Sequence, residues 1–121
     1  LDKFKEANDT FGHAAGDCLL KEAALRITQC VRETDTVVRF GGDEFVVLLD
    51  AVENRNGAFG VAEKIRVELA KPYEWQGNEI ELSVSIGISV FPQQGEQITQ
   101  LIAAADEAMY KAKKRGKNCI C

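Results

Sequence analysis

The sequence predicts an α+β domain in which a mixed sheet packs against helices. Stretches with apolar residues at helical spacing alternate with shorter strand-like runs along the chain. Some neighbouring strands are joined by short turns, which make antiparallel hairpins, and others are separated by a helix, which permits parallel pairing. The length of 121 residues fits a single domain over residues 1–121.

The first half of the chain is predicted to supply a strand end, two helices and a hairpin. Residues 1–2 end a strand whose beginning is missing, 3–9 form a short helix, and 10–15 a loop. Helical periodicity then predicts a long helix from residue 16 or 17 to 32, with Asp17 in its first turn. The last predicted elements of this half are the two arms of a hairpin, 36–40 and 44–49. The second arm is apolar on both faces, as in a buried central strand.

The second half of the chain is predicted to contain two helices and several strands. A loop over 54–57 precedes a helix over 58–70, and the turn at 76–78 joins two short strands. Apolar and small polar residues alternate strictly from 80 to 90, which predicts a strand. A helix follows over 98–114, Gly116 ends it, and 119–121 form a short final strand.

Composition excludes several classes of protein. A net charge of −4 argues against a general nucleic-acid binder. No apolar run has the length of a membrane span, and no signal peptide is visible. The four cysteines lack paired metal-ligand spacing and are predicted to be reduced thiols of a cytosolic protein.

The clearest chemical signal is the turn of the first predicted hairpin. Gly41 and Gly42 allow a bulky anion to approach the backbone closely. Asp43 and Glu44 follow directly, and carboxylates are the ligands that Mg²⁺ prefers. This turn is therefore predicted to hold a nucleotide phosphate and its metal, against the plainer alternative of a tight turn with two surface acids.

Four ordered blocks then give the sequence a family resemblance. They read Asp2-x-Phe4-Lys5-x-x-Asn8-Asp9-x-x-Gly12-His13-x-x-Gly16-Asp17, Gly41-Gly42-Asp43-Glu44-Phe45, Ser85-Ile86-Gly87, and Ala105-Asp106-x-Ala108-Met109-Tyr110-x-Ala112-Lys113-x-x-Gly116-Lys117-Asn118. The chain resembles the GGDEF domain, the catalytic domain of diguanylate cyclases, over nearly its whole length. The resemblance implies a nucleotidyl-cyclase fold with a ferredoxin-like core.

The resemblance also implies a reaction. Two GTP molecules become cyclic di-GMP and two pyrophosphates, with Mg²⁺ or Mn²⁺ as cofactor. Because the product is two-fold symmetric, two half-sites are expected to face each other in a homodimer.

Several residues acquire implied roles around the metal and the reacting phosphorus. Asp43 corresponds to a metal ligand, and Glu44 to a second acid for metal binding or 3′-hydroxyl activation. Gly41 and Gly42 are expected near the α-phosphate, and the carbonyl of Leu1 is expected to face the metal.

Other residues are implied to bind the base and the outer phosphates. Asn8 and Asp17 are expected to read the guanine edge, since a carboxylate accepts hydrogen bonds from N1–H and the 2-amino group. The backbone at the start of the first helix is expected to meet the β- and γ-phosphates. The phosphate-binding residues implied are Phe4, Lys5, Lys113 and Lys117.

Two departures from the family pattern stand out. The family's first metal-binding aspartate falls immediately before Leu1 and is absent from this sequence. Lys117 stands where the family usually has arginine. Lysine keeps the positive charge but lacks the bidentate geometry of arginine, so phosphate binding is expected to be weaker.

A regulatory site is implied by Arg32-Glu33-Thr34-Asp35, which matches the family's inhibitory RxxD motif. Arg32 is expected to contact a guanine edge or phosphate of the product and Asp35 a guanine amino group. Lys64 is the candidate for a supporting cation. The plainer alternative is an ion pair at a helix end.

Two functions fit these residues, and a third is disfavoured. The first is an active diguanylate cyclase, and the second is a non-catalytic module that binds GTP or cyclic di-GMP to regulate an attached domain. The third, an RNA-binding ferredoxin-like domain, is disfavoured because the strand over 80–90 has no aromatic residue. We expect a cytoplasmic domain that is attached to an N-terminal sensor or receiver domain. The sequence is compatible with a protein that has a membrane anchor elsewhere and with one that has none.

Overall fold

The computed structural model describes residues 1–50, 52 and 54–121. Within them the helices are α1 (Phe4–Phe11), α2 (His13–Cys30), α3 (Arg55–Ala70) and α4 (Ile98–Lys114), and the strands are β1 (Thr36–Gly41), β2 (Glu44–Leu48), β3 (Tyr73–Trp75) and β4 (Asn78–Ile80). Strands β1 and β2 form one antiparallel hairpin, and β3 and β4 form another. The predicted α+β class is confirmed, although the pairing in this part of the chain is short and local.

Helices α1 and α2 are separated by a single residue, Gly12. Its φ of 94° lies in the region that suits glycine. The Gly12 N–H donates to the Asn8 carbonyl at 2.8 Å, and its own carbonyl accepts from the Gly16 N–H at 3.1 Å. The predicted loop over 10–15 is therefore wrong, because one glycine turns the chain and the alanines after His13 favour helix. Asp17 consequently lies in the second turn of α2, and the helix ends at residue 30.

Helix α3 begins three residues earlier than predicted. The Asn54 side chain accepts a hydrogen bond from the Gly57 N–H at 3.0 Å and caps the helix. This local bond converts the predicted loop over 54–57 into the first helical turn. Helix α4 has the predicted bounds, and a reciprocal capping box between Gln97 and Gln100 fixes its start.

The hairpin β1–β2 is regular up to the residues before its turn. Arg39 pairs with Phe45, and the register then shifts so that Gly41 pairs with Glu44, which leaves Phe40 as an extra residue. The prediction that β2 is a buried central strand is wrong for the described residues. There β2 pairs with β1 alone, and Leu48 is 42% exposed.

Residues 81–90 are extended and are joined to other segments by single bridges. The Asp2 N–H donates to the Ser83 carbonyl at 2.8 Å, and the Ile86 N–H donates to the Cys119 carbonyl at 3.0 Å. The bridge between Ile86 and Ile120 is parallel. The alternation agrees with the burial of Leu82 and Ile88 but not with that of Ser85, which is 6% exposed. It did not predict the missing ladder, because a ladder also requires a neighbouring strand along the whole segment.

Helix α2 contributes to both clusters of the core. The first cluster lies between α1, α2 and the β3–β4 hairpin, and the second lies between α2 and α3. Their buried members are Ala7, Leu19, Tyr73, Ile80 and Leu82 in the first, and Ala23, Ile27, Ile65 and Leu69 in the second.

Two further findings concern membrane spans and cysteines. Among the helices that the structure describes, none is long and apolar enough to cross a bilayer. Each of the four cysteines carries a free thiol.

Arg26 connects α2 to the C-terminal end of α3. Its guanidinium donates to the carbonyls of Glu68, Lys71 and Pro72 at 3.0, 2.7 and 2.8 Å. It also lies 3.9 Å from the centre of the Tyr73 ring. Burial raises the pKa of Tyr73 to about 12, an effect that the nearby guanidinium opposes.

We expect Arg26→Ala to lower the free energy of unfolding by about 2–4 kcal/mol, because three carbonyls and an aromatic face lose one cation. Arg26→Lys keeps the charge without the planar fork and should be intermediate. Urea denaturation measures both, with the exposed Arg115→Ala as a control within about 0.5 kcal/mol of the parent. An Arg26→Ala variant as stable as that control would contradict the assignment.

Candidate active site

The turn of the β1–β2 hairpin presents two carboxylates. Gly42 adopts a φ of 52°, and the Arg39 side chain closes the turn by donating to the Gly42 carbonyl at 2.9 Å. The Asp43 side chain is 32% exposed, and Glu44 opens β2 with an exposed side chain. Both acids are therefore accessible to a ligand.

Leu1 lies against this turn. Its backbone nitrogen donates to the Asp43 carbonyl at 2.9 Å. Leu1 and the turn that carries Asp43 are therefore in direct contact.

One groove collects most of the groups predicted around the metal. Leu1, Asp43, Glu44 and Lys113 all line a groove of about 850 Å³, whose walls also include β2, α3 and α4. Residues distant in sequence are thereby brought to one place, with two acids and a lysine along it.

Helix α4, which carries Lys113, is seated on Gly87. A side chain at position 87 would overlap the Ala105 carbonyl and the Met109 N–H, so the helix backbone packs directly on this glycine. Lys113 lies one turn beyond Met109 on the same helix. Glycine at position 87 therefore determines how closely the lysine approaches the groove.

The predicted guanine-reading residues, Asn8 and Asp17, lie on α1 and α2 respectively, near the place where the two helices pack. A methyl group on Gly16 would overlap the Asn8 amide oxygen, so that amide occupies the space the glycine leaves. The Asn8 amide nitrogen lies 3.3 Å from His13 Nδ1. Asp17, the next residue after Gly16, is exposed and lines a shallow depression of about 230 Å³ that includes Phe45.

The predicted phosphate-binding groups lie at two chain turns. Lys3 adopts a left-handed φ of 64° before α1, and the first intrahelical bond runs from the Ala7 N–H to the Lys3 carbonyl. The N–H groups of Phe4 and Lys5 therefore take no part in the helix ladder. Lys117 lies in the turn after α4 with a φ of 66°, and its side chain is exposed.

Asp2 is a buried acid to which sequence reasoning assigned no role. The Ser85 hydroxyl donates to its Oδ1 at 2.9 Å, and the Ser83 hydroxyl and the Asn118 N–H donate to Oδ2 at 2.9 and 3.0 Å. Burial would raise the pKa of this carboxyl, but the hydrogen bond from Asn118 and those from the two serines outweigh it, so the pKa is lowered.

The RxxD segment forms the turn between α2 and β1. Asp35 Oδ2 accepts from the Arg32 N–H at 2.9 Å, and Oδ1 accepts from the Asp50 N–H at 2.8 Å. The carboxylate therefore bonds the backbone at the base of the β1–β2 hairpin. Lys64, the predicted supporting cation, is exposed on α3.

Sequence reasoning missed three structural supports of this site. Asp2, Gly16 and Gly87 were noted as parts of motifs without a physical role. Ser83 and Ser85, which alternate with apolar residues, were a signal for a buried hydrogen-bond acceptor. Small hydroxyl side chains on an inward face need a hydrogen-bond partner.

A complete metal cage of protein side chains is not present in this part of the chain. Within residues 1–50, 52 and 54–121, no group of three or more His, Cys, Asp or Glu side chains is placed to hold an ion. The available hard donors are the two carboxylates of the turn and neighbouring backbone carbonyls, which fit Mg²⁺ in type.

Comparison with known proteins places this site in a family. The family model "Diguanylate cyclase, GGDEF domain" matches residues 1–119. The bifunctional diguanylate cyclase/cyclic di-GMP phosphodiesterase MucR of Pseudomonas aeruginosa is 46% identical over 121 residues. That match covers 100% of this chain and 18% of MucR, so the chain spans about a fifth of that relative.

Solved structures agree with the sequence comparison. The GGDEF domain of TpbB (YfiN) from P. aeruginosa superposes with a TM-score of 0.93 at 38% identity, covering 98% of this chain and 74% of that one. The GGDEF domain of DgcB from Caulobacter crescentus in complex with c-di-GMP gives 0.88 at 28% identity, covering 98% and 71%. The fold, the turn with its two acids and these matches together identify the chain as a member of the GGDEF domain family.

Proposed function

We propose that this domain is a diguanylate cyclase, which condenses two GTP molecules into cyclic di-GMP and two pyrophosphates. The observation that carries the proposal is the groove along which Asp43 and Glu44 lie together with Leu1 and Lys113. The groove walls are mostly apolar, so the triphosphate and its metal are proposed to lie where these two acids and the lysine line it.

In the proposed reaction the 3′-oxygen of one GTP bonds to the α-phosphorus of the other. The bond from that phosphorus to the bridging oxygen breaks, pyrophosphate leaves, and the 3′-hydroxyl loses its proton. Glu44 is the proposed proton acceptor or second metal ligand, and Asp43 the first ligand. Mg²⁺ or Mn²⁺, when bound, neutralises the charge that develops on the phosphoryl oxygens.

The nucleotide is proposed to lie across the α1–α2 corner. Asn8 and Asp17 read the guanine, and Gly16 supplies the space for the Asn8 amide. The free N–H groups at the start of α1, with Lys5, Lys113 and Lys117, bind the outer phosphates. Lys117 binds as a point charge in place of the usual arginine.

Catalysis is proposed to require a homodimer. Each chain offers one set of acids, and a two-fold symmetric product needs two sets that face each other. Apolar side chains beside the turn support an association on this side, since Val38 is 44% exposed and Phe40 58% exposed.

Product inhibition is proposed at the α2–β1 turn through Arg32, Asp35 and Lys64. The accessible position of the RxxD segment supports this, because Arg32 is exposed. We further propose that this domain lies in the cytoplasm and that a sensor or receiver domain precedes it in the whole protein.

Removal of either acid should abolish synthesis. We expect Asp43→Asn and Glu44→Gln to reduce the rate of cyclic di-GMP formation by about 10²–10⁴-fold, because each removes a ligand or base from the reacting hydroxyl. Full-length protein is incubated with GTP and Mg²⁺, and the nucleotides are separated by chromatography.

The matched control for these two variants is Glu74→Gln, an exposed acid on the other hairpin. GTP binding without turnover in the parent protein would refute the cyclase proposal and favour the alternative, a regulatory module that binds GTP or cyclic di-GMP.

Gly16→Ala should weaken GTP binding. The new methyl group overlaps the Asn8 amide, and we expect the KM for GTP to rise at least about tenfold as that amide moves. Gly60→Ala is the control, because no atom lies within 4 Å of a methyl group there. Equal KM values for the two variants would exclude Asn8 from base recognition.

Arg32→Ala should weaken product inhibition. We expect the concentration of cyclic di-GMP needed to halve the rate to rise at least about tenfold. Arg32 is the better probe than Asp35, whose carboxylate holds two backbone N–H groups at the base of the hairpin. Initial rates are measured over a range of added product, with Glu33→Ala as the control. Unchanged inhibition in Arg32→Ala would remove the regulatory proposal.

A further inference from the structure

Asp2 joins three separate segments of the chain. It is 3% exposed, and its carboxylate accepts hydrogen bonds from Ser83, Ser85 and Asn118. Its own N–H donates to the Ser83 carbonyl at 2.8 Å. The start of the chain, the extended segment and the turn after α4 therefore meet at one buried carboxylate.

The turn that Asp2 holds is strained. Gly116, Lys117 and Asn118 have consecutive φ angles of 111°, 66° and 48°. Left-handed conformations of non-glycine residues cost about 1–2 kcal/mol each and persist only where other contacts enforce them. The bond from the Asn118 N–H to Asp2 Oδ2 at 3.0 Å is such a contact, and hydrogen bonds to a carboxylate are about twice as strong as neutral ones.

Asp2 also adjoins the hairpin side of the site. The preceding residue, Leu1, donates from its nitrogen to the Asp43 carbonyl at 2.9 Å. Two adjacent residues therefore contact the two turns: Asp2 bonds the turn that carries Lys117, and Leu1 bonds the turn that carries Asp43. Lys117 is otherwise exposed, so the backbone of its turn is what determines where its charge points.

We propose that Asp2 is a positioning residue that fixes the Lys117 turn relative to the Asp43 hairpin. The inference rests on the proposed function, in which Lys117 binds a phosphate and Asp43 the metal. Loss of the Asp2 carboxylate releases the strain of the turn, and Lys117 then no longer approaches the phosphate with a fixed geometry.

The test is a double-mutant cycle between Asp2 and Lys117 in the full-length protein. Asp2→Asn has the same shape and removes the charge and one acceptor. We expect it to lower kcat/KM for GTP by about 10–100-fold in the parent, and by no more than about threefold in the Lys117→Ala background. Losses that simply multiply would show that Asp2 acts on stability alone and would overturn the proposal.

Hydrogen exchange provides a readout that needs no turnover. In Asp2→Asn the backbone amides of residues 116–119 should exchange at least about tenfold faster than in the parent. Ser83→Ala removes one donor to Asp2 and leaves the Asn118 bond, so it should lower the melting temperature with kcat/KM within about threefold. Unchanged exchange in Asp2→Asn would overturn the proposal.

A second pair of variants covers the case in which Asp2→Asn does not fold. Asn118 is exposed, and Asn118→Ala makes its left-handed backbone conformation less favourable. Asn118→Gly removes the same side chain, but glycine adopts a φ of 48° freely. We expect kcat/KM to fall at least about fivefold in Asn118→Ala relative to Asn118→Gly. Equal values would contradict the dependence of the site on this turn.

Failure of the proposed function is recognisable separately. If the parent protein binds GTP and forms no cyclic di-GMP, the same cycle is measured on the Kd for GTP. Coupling between Asp2 and Lys117 in binding would then support the positioning role without the reaction, and its absence would refute it.

Discussion

The structure depends on helix α2, whose apolar residues pack into both clusters of the core. Leu19 belongs to the first core cluster and Ile27 to the second, so this one helix joins two groups of buried residues that otherwise share no element. Arg26 lies between them along the helix and bonds the end of α3. The order of apolar and basic residues on α2 therefore sets the relative position of α1, α3 and the β3–β4 hairpin.

The groups proposed for chemistry lie at the margins of this core. Asp43 and Glu44 are on a turn, Lys117 follows a helix end, and Lys113 is exposed near the end of α4. Their positions are fixed from behind by groups without chemical roles, including Arg39 at the Gly42 carbonyl and Gly87 under α4. Such a division lets the reactive groups stay accessible while their supports are packed.

Sequence patterns predicted the helices well, for identifiable reasons. Helix α4 has an apolar face with helical spacing and a glycine after its end, so its bounds were correct. The starts of α2 and α3 were misplaced because they depend on single residues, the φ of Gly12 and the side-chain bond of Asn54. Boundaries of this kind are decided by local geometry that composition does not reveal.

The contacts that join distant segments were beyond sequence reasoning. Asp2 and Asn118 are separated by 116 positions, and no periodicity relates them. The same holds for the exposed edge of β2, whose apolar residues alone suggested burial. Pairing between segments depends on which neighbours are present, and a single sequence carries this information only weakly.

The β1–β2 turn differs from the rest of the molecule in how it is anchored. Nothing lies within 4 Å of a methyl group placed on Gly41 or Gly42, and the turn is closed by its own Arg39 side chain. Opening such a segment breaks few contacts, so its local free energy of opening lies well below that of the core. Both acids therefore lie on a segment that can open locally while the two core clusters stay folded.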